Sequence, residues 1–158
     1  MNIILALYPN ARGLGFACLE APQKLIEYGI VTVRPIYNTP LLRRMEHFLD
    51  FFRPQVVILR DGDSLPPSNS RVKQLLENIA QSAERKGIPV HYYSREQIKG
   101  VFSSFNASTK YEIAQKLVEW FPEVEDKVPA LRKPWESENY YMGIFDALSL
   151  GLTHIYLS

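Results

Sequence analysis

The sequence predicts an α/β fold: a mixed five-stranded sheet in the order βββαβαβαα, with helices on both faces. Three observations carry this. Three strand-like segments come close together before any helix, which implies an antiparallel meander. Helical and strand periodicities then alternate, the pattern of parallel crossover units. The chain closes on two helical segments.

The elements follow in order. Ile3 to Leu7 is an apolar run of strand length, stopped by Pro9-Asn10. Gly15 to Leu19 resumes strand character until Ala21-Pro22-Gln23. Leu25 to Pro35 alternates, with Ile30, Thr32 and Arg34 against Val31 and Val33, as a third strand. Thr39-Pro40 reads as a helix start, and Leu41, Met45, Phe48, Leu49 and Phe52 recur at helical spacing. Val56 to Leu59 is short and wholly apolar, as a buried parallel strand requires. Asp61 to Asn69 has loop composition. Ser70 can cap a helix with the face Val72, Leu75, Leu76, Ile79 and Ala83, closed by Lys86-Gly87. Val90 to Tyr93 is the fifth strand. Ser94 to Ser108 is less regular. Thr109-x-x-Glu112 is a capping box leading into Ile113, Ala114, Leu117 and Val118. Glu123 to Pro134 is a connector. Ser137 can cap the last helix, which carries Tyr141, Ile144, Phe145 and Leu148 inward and ends at Gly151.

Composition narrows the class without naming a function. The 158 residues are 46% hydrophobic and 22% charged, which suits one domain spanning 1–158. A net charge of +1 announces no nucleic-acid binder, though the 18 Lys and Arg can still form a local basic face. Cys18 stands alone within an apolar strand, so it reads as a core residue and excludes an internal disulfide. No apolar run approaches the ~20 residues of a membrane span, and the N-terminus lacks a signal-peptide pattern. The expectation is a cytoplasmic protein with no membrane partner. His47, His91 and His154 have no ligand-like spacing. Trp135 beside Arg132-Lys133-Pro134 reads as a core lid or as a grip on a strand end.

The opening hairpin, Ile4-Leu5-Ala6-Leu7-Tyr8-Pro9-Asn10-Ala11-Arg12-Gly13-Leu14-Gly15-Phe16-Ala17, resembles that of RuvC-type Holliday-junction resolvases. In that pattern an apolar strand runs into Asp-Pro-Gly-Ser and then, after a few residues, Gly and an aromatic. Gln97-Ile98-Lys99, Ala107 to Lys110, and Phe145-Asp146-Ala147-Leu148-Ser149-Leu150 also resemble family segments, in the family's order. The resemblance implies a ribonuclease H-like fold, nucleic-acid partners (branched DNA or RNA) and a homodimer. It also implies a site where three or four carboxylates hold two Mg²⁺ ions roughly 4 Å apart.

Against that implied pattern, Tyr8 stands at the first aspartate and Gly143 at a further acid position. A neutral phenol is a poor Mg²⁺ ligand. Asp146 is the retained acid, with Asp61 or Asp63 standing in for the acid after the fourth strand, although Arg60 competes for that place. The candidate catalytic set is therefore Asp146, Asp61 and Asp63 with Tyr8, and Glu138 or Glu112 as helpers. The metal ligands would be Asp146 and Asp61. Asp146 can instead pair with Arg12 or Arg60. Arg12, Lys99, Lys110, Arg132 and Lys133 are the candidate nucleic-acid contacts. The expected function is nucleic-acid binding with a lost or weakened nuclease centre. A nuclease with a rearranged carboxylate site and a protein-interaction module are the alternatives.

Overall fold

A computed structural model describes residues 2–33, 37–62, 65–131, 133, 135, 136 and 138–158. Five strands form one sheet: β1 (Ile3–Asn10), β2 (Gly13–Glu20), β3 (Lys24–Val31), β4 (Val56–Arg60) and β5 (Val90–Tyr93). Their order is β3-β2-β1-β4-β5. β1, β2 and β3 pair antiparallel, whereas β4 and β5 join β1 in parallel. This is the mixed five-stranded sheet that the sequence predicts.

The two faces have separate cores, because strand side chains alternate. Ile3, Leu5 and Leu7 of β1 pack with α1 (Asn38–Phe52) and α2 (Ser70–Arg85). Ile4, Ala6 and Tyr8 pack with α3 (Arg95–Ser103), α4 (Lys110–Trp120) and α5 (Met142–Leu157). Helices therefore cover both faces.

Several boundaries move for identifiable reasons. β1 continues through Pro9 to Asn10. Its pairing with β4 ends at Leu7, so the missing Pro9 N–H lies where the strand has no parallel neighbour. β3 stops at Val31, and the expected stretch at Arg34 and Pro35 lies outside the described residues. The irregular segment after β5 holds an additional helix, α3. Ser94 and Gln97 form a reciprocal capping box there, and Ile98 and Phe102 anchor one face. The observed order is thus βββαβαβααα. α1 begins at Asn38 without a side-chain cap, so Thr39 lies inside its first turn. Ser70 is the first residue of α2 and not its cap, and a 3₁₀ turn at Pro67–Asn69 leads in. The Thr109 capping box and the left-handed Gly87 (φ +75°) stand as predicted.

α5 starts at Met142 and runs past Gly151 to Leu157. Tyr141 precedes it and is exposed, while the proposed cap Ser137 lies outside the described residues. Gly151 lies within α5 and does not end it; a Cβ there would lie 2.5 Å from Leu19 Cδ1, so its place is one of close packing on β2. At its other end α5 lies directly on β2: a Cβ at Gly15 would lie 2.2 Å from the Gly143 carbonyl oxygen. Gly15 thus sets the height of α5 above the sheet.

Candidate functional site

β1, β4 and β5 run parallel, so their C-terminal ends open at one edge of the sheet. In such sheets ligands bind outside that edge. The β1–β4 register ends at Leu7 opposite Leu59. The next residues, Tyr8 and Arg60, both face the α5 layer. The Arg60 guanidinium carbon lies 4.4 Å from the Tyr8 ring centroid, a cation–π contact. Arg60 Nη1 donates to the Pro9 carbonyl at 3.1 Å. Its Nε is buried with no hydrogen-bond partner among the described residues.

Lys110 enters the same space from the start of α4, where the Thr109 cap fixes the helix end. Its Nζ lies 3.3 Å from Asp146 Oδ2 and donates to Glu138 at 3.0 Å (Oε2) and 3.3 Å (Oε1). It also lies 5.8 Å from the Tyr8 ring centroid. Asp146, in the second turn of α5, is only 2% exposed. Arg95, at the start of α3, acts electrostatically on both Tyr8 and Asp146.

The protonation states follow from this packing. Burial, reinforced by the Asp146 charge, raises the Tyr8 phenol above its ordinary 10.0, so the ring stays neutral. Burial also raises the Asp146 carboxyl against the pull of Lys110. Burial opposes the Lys110 charge, but Asp146, Tyr8 and Glu138 together raise its pKa above the ordinary 10.5. Lys110 therefore carries a firm positive charge in the centre of the cluster.

The hairpin after β1 is tied to this cluster. Asn10 Oδ1 accepts from the backbone N–H groups of Arg12 (2.8 Å) and Gly13 (3.1 Å). The Arg12 guanidinium donates to the Glu138 carbonyl. From the opposite face, Arg71 donates to the Asn10 carbonyl at 3.0 Å.

The structure brings together Tyr8, Asp146, Lys110 and Glu138 of the predicted site residues. Asp146 pairs with Lys110, and not with Arg12 or Arg60 as the sequence suggests. Lys110 accordingly points inward and is not a free surface cation. Asp61 goes elsewhere: with Lys73, Leu76, Glu77 and Tyr92 it lines a pocket of about 410 Å³ on the α2 side. Strand parity explains this, since Arg60 faces α5 and its neighbour faces away. Asp63 and Arg132 lie outside the described residues. Arg12 and Lys99 are exposed. Lys133 is exposed too, 5.5 Å from the Trp135 ring centroid, and Trp135 is 78% exposed and no core lid. Glu112 caps α4 and stays out of the cluster.

Two further cations complete the site: Arg60, which the sequence offers only as a rival at the acid position or a partner for Asp146, and Arg95, which it does not offer. The period of two along Ile58 and Arg60 could have placed the first, and the Ser94 capping box the second. His91 and His154 do meet, with ring centroids 5.1 Å apart. Even so, among the described residues no group of three or more His, Cys, Asp or Glu is placed to hold a metal.

No protein-family model matches the chain, and no curated protein matches its sequence. Solved structures do match. Thermus thermophilus RuvC in complex with Holliday-junction substrate superposes with a TM-score of 0.71 at 19% identity, covering 99% of this chain and 94% of that one. Another T. thermophilus RuvC structure gives 0.70 at 19% identity, covering 98% and 94%. Fowlpox virus resolvase in complex with Holliday-junction DNA gives 0.58 at 14% identity, covering 97% and 98%. Over nearly its whole length, then, this chain has the ribonuclease H-like fold in the form adopted by RuvC-type Holliday-junction resolvases.

Proposed function

We propose that this protein binds nucleic acid at the C-terminal edge of β1, β4 and β5 and does not cleave it by a two-metal route. The carrying observation is the charge arrangement at that edge. Arg12, Arg60, Arg95 and Lys110 gather there around the two carboxylates of Asp146 and Glu138. That balance favours phosphate. The fold supports the reading, because two of its structural neighbours are complexes with Holliday-junction DNA.

A divalent ion, which the fold family implies, does not fit the donors present. Mg²⁺ needs an octahedron of oxygens at about 2.0–2.1 Å. Here Tyr8 offers a neutral phenol, and both carboxylates already bind the Lys110 ammonium. Of the acids that a rearranged nuclease would use, Asp61, Asp63 and Asp146, Asp61 lines a pocket on the α2 side, which speaks against its sharing a metal with Asp146, and Asp63 lies outside the described residues. A homodimer and a cytoplasmic location belong to the same proposal. Among the described residues, no helix is long and apolar enough to cross a membrane.

Fluorescence anisotropy with labelled four-way and single-stranded DNA across a salt series tests the binding. The expected result is an affinity that falls steeply with salt. Arg12→Ala and Lys99→Ala should each flatten the log–log slope by about one unit per phosphate contact removed. Absence of salt-sensitive binding at low ionic strength refutes the reading and leaves the protein-interaction alternative.

A further inference from the structure

We infer that Lys110 is a built-in replacement for a bound cation: its ammonium fills the position between Asp146 and Glu138 that a divalent metal would otherwise take, so removing Lys110 creates a divalent-cation site. The inference deepens the reading of a centre that does not work through metal.

The geometry supplies the argument. Asp146 enters from α5, Glu138 from the segment before it, and Lys110 from α4. A single Nζ lies within 3.3 Å of one Asp146 oxygen and of both Glu138 oxygens. Two carboxylates that share one small cation form the nucleus of a hard-cation site. The ammonium supplies a single charge through hydrogen bonds, and it is covalently tethered, so it cannot diffuse away. A divalent ion entering the native protein would meet that ammonium as well as Arg60 and Arg95. Without Lys110 the carboxylates lose their closest counter-charge, and the emptied side-chain volume opens onto solvent. A pocket of about 420 Å³ lined by Lys110, Glu138, Thr109, Asn139 and Met142 adjoins it and gives a hydrated ion a route in.

The test titrates Mn²⁺ into wild type, Lys110→Ala and the double variant Lys110→Ala/Asp146→Asn. Free Mn²⁺ is read by electron paramagnetic resonance, and melting temperature is followed in parallel with Mg²⁺ and Mn²⁺. Wild type is expected to take up no Mn²⁺ that depends on Asp146. Lys110→Ala should bind at least about tenfold more tightly, since a like charge a few ångströms away has gone, and should melt higher with metal. The double variant should lose both effects. Should Lys110→Ala not fold, Lys110→Gln, which keeps a neutral amide in place, carries the same comparison. Mn²⁺ binding by wild type that Asp146→Asn abolishes overturns the inference. So does a folded Lys110→Ala or Lys110→Gln protein that binds no Mn²⁺. No nucleic acid enters the assay, so its failure is separate from a failure of DNA binding.

Discussion

Lys110→Met should lower the melting temperature at pH 8 by roughly 6–12 °C, equivalent to about 3 kcal/mol in a domain of this size. The substitution keeps an unbranched side chain out to the Cε position and removes the ammonium. Asp146 is then left fully inside the protein, facing Glu138 with no ammonium between them. Removing one partner of a buried pair costs more than the pair itself contributes, because the other charge remains desolvated. The lower end of the usual range applies, since the Lys110 side chain is 32% exposed and solvent screens part of the loss.

The pH profile of this deficit distinguishes charge from packing. The folded-state pKa of Lys110 is raised. Its stabilisation is therefore complete below the ordinary 10.5 and is lost as pH rises through the folded value. The Asp146 pKa is raised as well, so its charged form weakens the folded state as pH rises from acid. Without Lys110, Asp146 rises further and takes a proton more readily on acidification. The gap between wild type and Lys110→Met should be widest between these two titrations and narrow on either side. Urea unfolding at pH 5, 8 and 11 reads it directly, and a gap constant with pH would mean that only packing was lost.

Gly15→Ala should be comparably damaging, at about 3 kcal/mol or a Tm loss of roughly 6–12 °C. The added methyl would lie 2.2 Å from the Gly143 carbonyl oxygen and 2.6 Å from its carbon. Both obstacles are backbone, in a helix packed along its length, so neither can swing aside. Either α5 rises from the sheet or β2 shifts, and both movements disturb Asp146. Gly143→Ala is the control. A Cβ there meets Ile30 Cδ1 at 3.6 Å and Gly15 Cα at 3.7 Å, ordinary contact distances. Its stability should stay within about 1 kcal/mol of wild type. Thermal unfolding of the two variants side by side checks the asymmetry, and equal effects would place the close approach elsewhere.

Much of the fold was written in local signals. The wholly apolar Val56 to Leu59, the Thr109 capping box and Lys86-Gly87 each act within a few residues, and each stands where periodicity puts it. α3 escaped notice because only Ile98 and Phe102 mark its buried face, and Gly100 interrupts the pattern. α5 passes Gly151, where contact with Leu19, distant in sequence, selects glycine.

The site was less legible. Tyr8 and Asp146 lie on the elements the sequence assigns them, whereas Asp61, which the sequence offers as a stand-in for the acid after the fourth strand, does not join them. One step of strand parity puts Arg60 over the Tyr8 ring and sends Asp61 to the α2 side. Lys110 read as a surface cation because no local rule reports where a long side chain ends. Its partners come from 28 and 36 residues further on, and only the packing of α4 against α5 unites them.

The most direct measurement incubates the protein with a fluorescent four-way junction in Mg²⁺ and in Mn²⁺. Anisotropy reports binding, and a denaturing gel reports strand integrity. An ion-paired centre on a resolvase fold predicts a salt-sensitive complex in which every strand stays intact. Strand cleavage by wild type that disappears in Asp146→Asn would contradict it.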